Sequence, residues 1–224
     1  IFHFGNQESC SMEIQKSITT AAIGGLHITA AGKASHFSQY EDGIDAMYGA
    51  ARLVTAVREL NRTFPTRYPF ILGLGCMRAG TGRNSVCESA ELDGSLRTFS
   101  NEDFEAVFAE LKKQIEKIEQ ETGVLFHVEI TKKIPPIIND PALVEKGSRI
   151  GKKLFGKDFH VGEKPFLVGD NAAYYMEEVP GMRAVFLAGK PGVENRPVHN
   201  PGFDIDESVM LKALQFLISF VCSD

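Results

Sequence analysis

The stretch SAELDGSLRTFSNEDFEAVFAELKKQIEKIEQETGVLFHVEIT, residues 89–131, contains a strand, a capped helix and a second strand in succession. Residues 89–99 read as a strand. Ser100 then caps a helix whose Phe104, Val107, Phe108, Leu111, Ile115 and Ile118 recur at the helical period, and Gly123 stops it. VLFHVEIT, 124–131, follows as a strand. Upstream, LHITAAG (26–32) alternates like a strand. From Asp42 to Asn61, residues Ile44, Met47, Ala51, Val54, Val57 and Leu60 again keep the helical period. FILGLGCMRAG (70–80) is strand-like and is joined to 89–99 by the turn-rich TGRNSVCE. The resulting order, β-α-β-β-α-β over residues 24–134, is that of a ferredoxin-like split βαβ unit.

The paired prolines of KKIPPIIND mark a boundary. Beyond it the pattern predicts a helix over about 140–156, a strand near Phe166 to Val168 and a short helix through NAAYYMEE. A strand over 182–189 and a last helix over about 206–222 complete it. Asp204 with Glu207 reads as the cap of that last helix. The part is α/β in character but has too few strands for a doubly covered sheet. The expectation is that it belongs to a domain whose remainder precedes Ile1.

The chain has 224 residues and is 43% hydrophobic and 24% charged, with a net charge of -5. An acidic balance with both signs dispersed argues against a nucleic-acid surface. No apolar run reaches the roughly 18–20 residues that span a bilayer, and no secretory signal is visible at the start. A cytoplasmic location and no membrane partner are expected. Cys10, Cys76, Cys87 and Cys222 are too dispersed for a disulfide framework.

Four groups of polar residues stand out. His199, in NRPVHNPGFDIDE, lies between Pro197 and Pro201, and imidazole suits a metal ligand, a general base or a local loop bond equally well. His36 falls in GKASHFSQYEDGIDA, between a strand and a helix, in a loop whose ends are fixed by Gly32 and Gly43. Arg83 and Asn84 occupy the turn AGTGRNSV, and Arg97 closes the following strand; a His, an Asn and an Arg at loops and strand ends suit a carboxylate or an oxyanion. His3, in IFHFG, sits on an apolar strand-like segment where a buried structural histidine is the ordinary reading, and His27, His127 and His160 read as structural too.

Taken together, GKASHFSQYEDGIDAMYGAARLV, AGTGRNSV, AELDGSLRTF, YYMEEVPG and HNPGFDIDE, in that order, resemble the metal-dependent aminoacylase and carboxypeptidase family. The likeness is to its amidohydrolase branch of hippurate, auxin-conjugate and aminobenzoyl-glutamate hydrolases. That resemblance implies an α/β, zinc-peptidase-like catalytic domain with a ferredoxin-like lid and dimerisation domain inserted into it. On this reading residues 1–23 end the first catalytic segment, 24–134 form the lid, and 135–224 form the closing catalytic segment.

The resemblance implies that His199 and His3 bind metal, which replaces the structural reading of His3. It further implies that His36 reaches the partner subunit's active site to stabilise the oxyanion, and that Asn84 and Arg97 hold the substrate's terminal carboxylate. Two divalent metals, zinc or else manganese or cobalt, would activate water for hydrolysis of N-acyl amino acids or small peptides. A homodimer through the lid follows. The remaining metal ligands and the catalytic glutamate have no equivalent here, so the chain alone is expected to be inactive. The family's G-x-E-D-F reads VGDNAAYY, with Asp170, Asn171 and Ala172 departing from the pattern and leaving pocket shape and selectivity open. Two competing readings are a non-catalytic dimerisation or binding module and a hydrolase using Cys10.

Overall fold

The computed structural model describes residues 1–7 and 10–223. The elements run β1 (Phe2–Gly5), β2 (Cys10–Gln15), β3 (Ala22–Ala31), α1 (Ala46–Thr63), β4 (Ile71–Ala79) and β5 (Ser89–Thr98). They continue with α2 (Asn101–Thr122), β6 (Leu125–Ile134), α3 (Pro141–Phe155), β7 (Phe159–Gly162), α4 (Ala173–Glu178), β8 (Ala184–Ala188) and α5 (Ser208–Cys222). They form two compact units. One comprises Ala21–Pro136 with Leu167–Gly169; the other comprises Ile1–Thr20, Ile137–Phe166 and the chain from Asp170 onward.

The first unit has the expected ferredoxin-like architecture. Its antiparallel sheet has the order β4-β5-β3-β6. β3 alternates buried and half-buried residues along most of its length, the period-2 signature of a sheet covered on one face. Leu26, Ile28, Leu92 and Leu96 pack under Leu53 and Val57 of α1 and Phe104, Val107 and Leu111 of α2. Ser100 Oγ accepts from Asp103 N at 3.0 Å, and Gly123, at φ +74°, ends α2 in the left-handed conformation. α1 starts later than its apolar period suggests, because a 3-10 turn takes up Phe37–Asp42. Asp45 then caps it, accepting from Met47 N at 3.0 Å and Tyr48 N at 3.3 Å.

The second unit holds a mixed sheet of order β1-β8-β2-β7. β1 runs parallel to β8 and β2 parallel to β7, while β2 and β8 are antiparallel. Met12, Ile14 and Phe186 of the strands share one core with Val144, Ile150 and Phe155 of α3 and with Val209, Ala213 and Phe216 of α5. This unit departs from the sequence pattern in three places. Residues 10–15, not singled out in the sequence, form β2. The strand expected near 166–168 is absent: Phe166 makes a single bridge to Thr20, and the strand is Phe159–Gly162, anchored by buried Phe159 against Gly151. Asp204 does not cap α5, because its carboxylate takes the Lys190 ammonium and accepts from Ile205 N, and Asp206 bonds Ser208 N at 3.0 Å instead.

Candidate functional site

His36 sits in the loop from β3 to α1. That loop and the turn after β4 are zipped together by Gly32 N→Glu88 O at 2.8 Å, Val86 N→Ser35 O at 2.8 Å and Phe37 N→Asn84 O at 3.2 Å. A Cβ on Gly32 would come within 2.1 Å of the Ile44 carbonyl oxygen, so only glycine lets the loop close. The Ser38 N–H donates to His36 Nδ1 at 3.2 Å. A backbone amide can only donate, so Nδ1 is the acceptor and the neutral ring carries its proton on Nε2. The exposed imidazole is thereby set as an N–H donor, the form that suits a developing oxyanion. Asn84 and Arg83 are exposed in the same zipped end.

Arg97 lies elsewhere. It is half-buried on the face of β5 not covered by helices, paired with Ile23 and Ile71, and its Nη1 donates to the Leu167 carbonyl at 2.6 Å. Eight residue steps of extended strand, about 26 Å, separate it from Ser89 at the zipped end. The structure brings His36 and Asn84 together and holds Arg97 at the opposite end of the same sheet.

In the other unit, His3 stands on β1 opposite Val185 of β8. His3 is exposed on the strand, yet the part of the ring that packs against its surroundings is desolvated enough to depress its pKa below the ordinary imidazole value. The Arg183 guanidinium lowers it further, and Asp170 partly offsets both. Those two charges form an ion pair: Arg183 Nε meets Asp170 Oδ2 at 3.1 Å, with the arginine 4% exposed and the aspartate 18%. Asp170 Oδ1 also accepts from Ala172 N at 3.1 Å, just before α4. Arg183 N donates to Asn139 Oδ1 at 2.9 Å, and Asn139 Nδ2 donates to Gln15 O at 2.8 Å. This buried chain ties β2, the start of α3, the start of β8 and the residue-170 loop together. Sequence reasoning saw Asp170 only as a departure from a motif. Its partner, thirteen residues away at Arg183, left no local signal.

His199 has left-handed backbone, φ +67°, uncommon for a residue with a Cβ. The turn around it is closed by Asn200 N→Pro197 O at 3.1 Å and Phe203 N→Asn200 O at 2.9 Å, and the Asn200 side chain accepts from Gly202 N at 2.8 Å. The Asn6 amide donates to the Arg196 carbonyl. That contact lies three residues after His3 and three residues before His199, so the loop of His199 is anchored to the end of β1. A catalytic zinc site takes three protein ligands and a structural one four. No group of three or more His, Cys, Asp and Glu among the described residues could hold a metal. His3 and His199 alone do not make a metal centre, and no chemical step is assigned to one. Cys10 lies on β2, half-buried, opposite Ala188. No described helix is long and apolar enough to cross a membrane.

Residues 18–123, most of the ferredoxin-like unit with its two covering helices, match the peptidase dimerisation domain. That stretch therefore carries a dimerisation domain of the M20 peptidase type. The chain is 27% identical over 202 residues to an N-acetyl-L-cysteine deacetylase of Bacillus subtilis, a match covering 88% of this chain and 46% of that protein. The crystal structure of the YXEP protein of Bacillus subtilis, described as a dinuclear metal binding peptidase of the M20 family, superposes with a TM-score of 0.78 at 22% identity. That match covers 98% of this chain and 55% of the other. The aminobenzoyl-glutamate utilization protein of Klebsiella pneumoniae gives 0.71 at 21% identity, covering 98% and 52%. The chain spans about half the length of the curated relatives it matches.

Proposed function

We propose that this chain supplies the lid and the closing catalytic segment of an M20 amidohydrolase that hydrolyses the amide bond of N-acyl amino acids or small peptides. Residues 1–23 and 135–224 are assigned to the catalytic segments and 24–134 to the lid. The relatives, a deacetylase and peptidases by their descriptions, support hydrolysis of an amide. The enzyme would work as a homodimer, and one observation carries that reading: His36 and Asn84 lie at one end of the lid sheet and Arg97 at the other, about 26 Å away. No small acyl amino acid reaches from one to the other. Two copies associated head to tail would set the His36 and Asn84 end of one beside the Arg97 end of the next, completing a carboxylate and oxyanion pocket.

In that pocket Arg97 would grip the substrate carboxylate through its planar donor fork. Asn84 would add an amide donor, and His36 Nε2–H would meet the oxygen that gains charge as the carbonyl is attacked. His3 and His199 are assigned to metal binding, with zinc, manganese or cobalt as candidates, and the rest of such a centre would have to come from residues outside those described. The test is hydrolysis of an N-acyl amino acid panel by the full-length enzyme, alongside its mass in solution. Dimers that lose activity on mixing with chelator, and two inactive variants, His36→Ala and Arg97→Ala, that regain activity when their subunits are exchanged, are the expected result. An active monomer, or no recovery in mixed dimers, would refute the shared pocket.

A further inference from the structure

Beside Arg97 the open face of the lid sheet is hollow. A trough of about 470 Å³ is lined by Ile71, Gly73, Leu74, Gly75, Asp93 and Arg97, among others. Its form follows from the sequence of β4 and β5. Gly73 and Gly75 present no side chains, and a Cβ built on either would meet nothing within 4 Å. The register of β4 on β5 shifts between Leu74 and Cys76, the mark of a β-bulge. Gly94, on the floor, can bear no Cβ, since one would lie 2.2 Å from the Gly73 carbonyl. The Ser95 hydroxyl, between Arg97 and Asp93 on β5, is shielded from water and has no partner among the described residues. The hollow is therefore held open by backbone geometry.

The two charges at its rim are not equivalent. Asp93 is already satisfied, with His27 Nδ1 on Oδ1 at 2.8 Å and Arg78 Nη1 on Oδ2 at 3.2 Å. It asks for no cationic ligand, and it would repel an acidic one. Arg97 spends Nη1 on the Leu167 carbonyl and has further donors in its guanidinium fork. Between the two, apart from the Ser95 hydroxyl, the lining is Ile71, Leu74, Cys76 and bare glycine backbone.

We infer that this trough is the side-chain subsite for the amino acid whose carboxylate Arg97 holds, and that it selects an apolar side chain of about leucine size over glycine or an acidic residue. The inference rests on Arg97 being the carboxylate grip. Gly73 and Gly75 are then specificity-determining residues: they leave the floor bare where the side chain of the substrate lies down.

The test is a chemical-shift titration of the 224-residue protein with N-acetyl-L-leucine, N-acetylglycine and N-acetyl-L-leucinamide. N-acetyl-L-leucine should bind about tenfold more tightly than N-acetylglycine, the discrimination a few methylenes give in a partly open apolar site, and the leucinamide should bind most weakly. Gly73→Val puts into the trough a residue that favours strands, at a position where a Cβ meets nothing within 4 Å, so the lid core resonances should stay in place. It should bring the two acids to within twofold of each other by weakening N-acetyl-L-leucine alone. Equal binding of acid and amide, or no binding of any probe, would overturn the Arg97 grip and the subsite with it. A clear preference for acid over amide with no preference for leucine, or a leucine preference that survives Gly73→Val, would overturn the subsite and leave the grip standing.

Discussion

Asp170→Ala would remove the carboxylate that faces Arg183 and leave a guanidinium that is 4% exposed without its counter-charge. A charged group in that position cannot recover its hydration without opening the fold. Breaking one side of a buried pair of this kind costs about 3–5 kcal/mol, whereas exchanging both partners for apolar groups of similar volume is close to neutral. Asp170→Ala also deletes the carboxylate that accepts from Ala172 N, about 1.5–3 kcal/mol for a hydrogen bond to a charged group. Asp170→Asn keeps an oxygen for Ala172 N and loses only the charge, so the difference between the two variants isolates the capping bond. Urea denaturation, followed through a probe in the unit built on β2 and β8, should rank wild type above Asp170→Asn and that above Asp170→Ala. The Asp170→Asn, Arg183→Met double variant should recover most of the loss, with a coupling above about 2 kcal/mol. A cost below about 1 kcal/mol for Asp170→Ala, or additive losses in the double variant, would show that Arg183 reaches solvent and that the pair does not hold the residue-170 loop.

Two further outcomes are expected. The Asp93 carboxylate bonded to His27 raises that imidazole's pKa, with smaller contributions from Glu91 and Glu129. A raised folded-state value stabilises the fold below the ordinary histidine pKa of about 6.5, and the contribution is lost as pH rises through the folded value. The His27 ring should titrate above the ordinary value by NMR, and Asp93→Asn should lower it, leaving only the smaller rise from Glu91 and Glu129. Gly32→Ala would place a methyl 2.1 Å from the Ile44 carbonyl that Lys33 N already uses. It should cost about 1–3 kcal/mol in thermal unfolding and scatter the loop that orients His36, visible as loss of the Ser38 amide's protection from exchange.

The lid was legible because its signals are local. Ser100 and Gly123 bound α2, its apolar period is unbroken, and β3 and β5 alternate cleanly. β2 was not, since Cys10–Gln15 is nearly all buried and shows no alternation to read. Asp204 misled for a related reason. Its spacing from Glu207 suits a cap, but an ion pair with Lys190, fourteen residues earlier, claims the side chain. Among the candidate site residues, the proximity of His36 to Asn84 follows from the antiparallel pairing of β4 with β5, which returns the turn between them to the start of α1. The distance to Arg97 likewise follows once the strand order is known. The Asp170–Arg183 pair is a contact between two loops, and neither periodicity nor capping rules reach it.

The lid sheet has two free edges, and they are defended against aggregation by different means. β6 carries His127, Glu129, Lys132 and Lys133 along its length, and such charges discourage a stray strand from adding on. β4 carries Arg78 as its single charged residue and exposes Ile71 and Met77. Its protection is conformational: two glycines weaken it as a template, and the register shift between Leu74 and Cys76 breaks its row of outward amides. A flat, promiscuous strand finds no continuous ladder there, whereas a strand with a matching irregularity does. Straightening that edge, by replacing the glycines with β-branched residues and deleting the extra residue, would trade selective pairing for indiscriminate fibre growth.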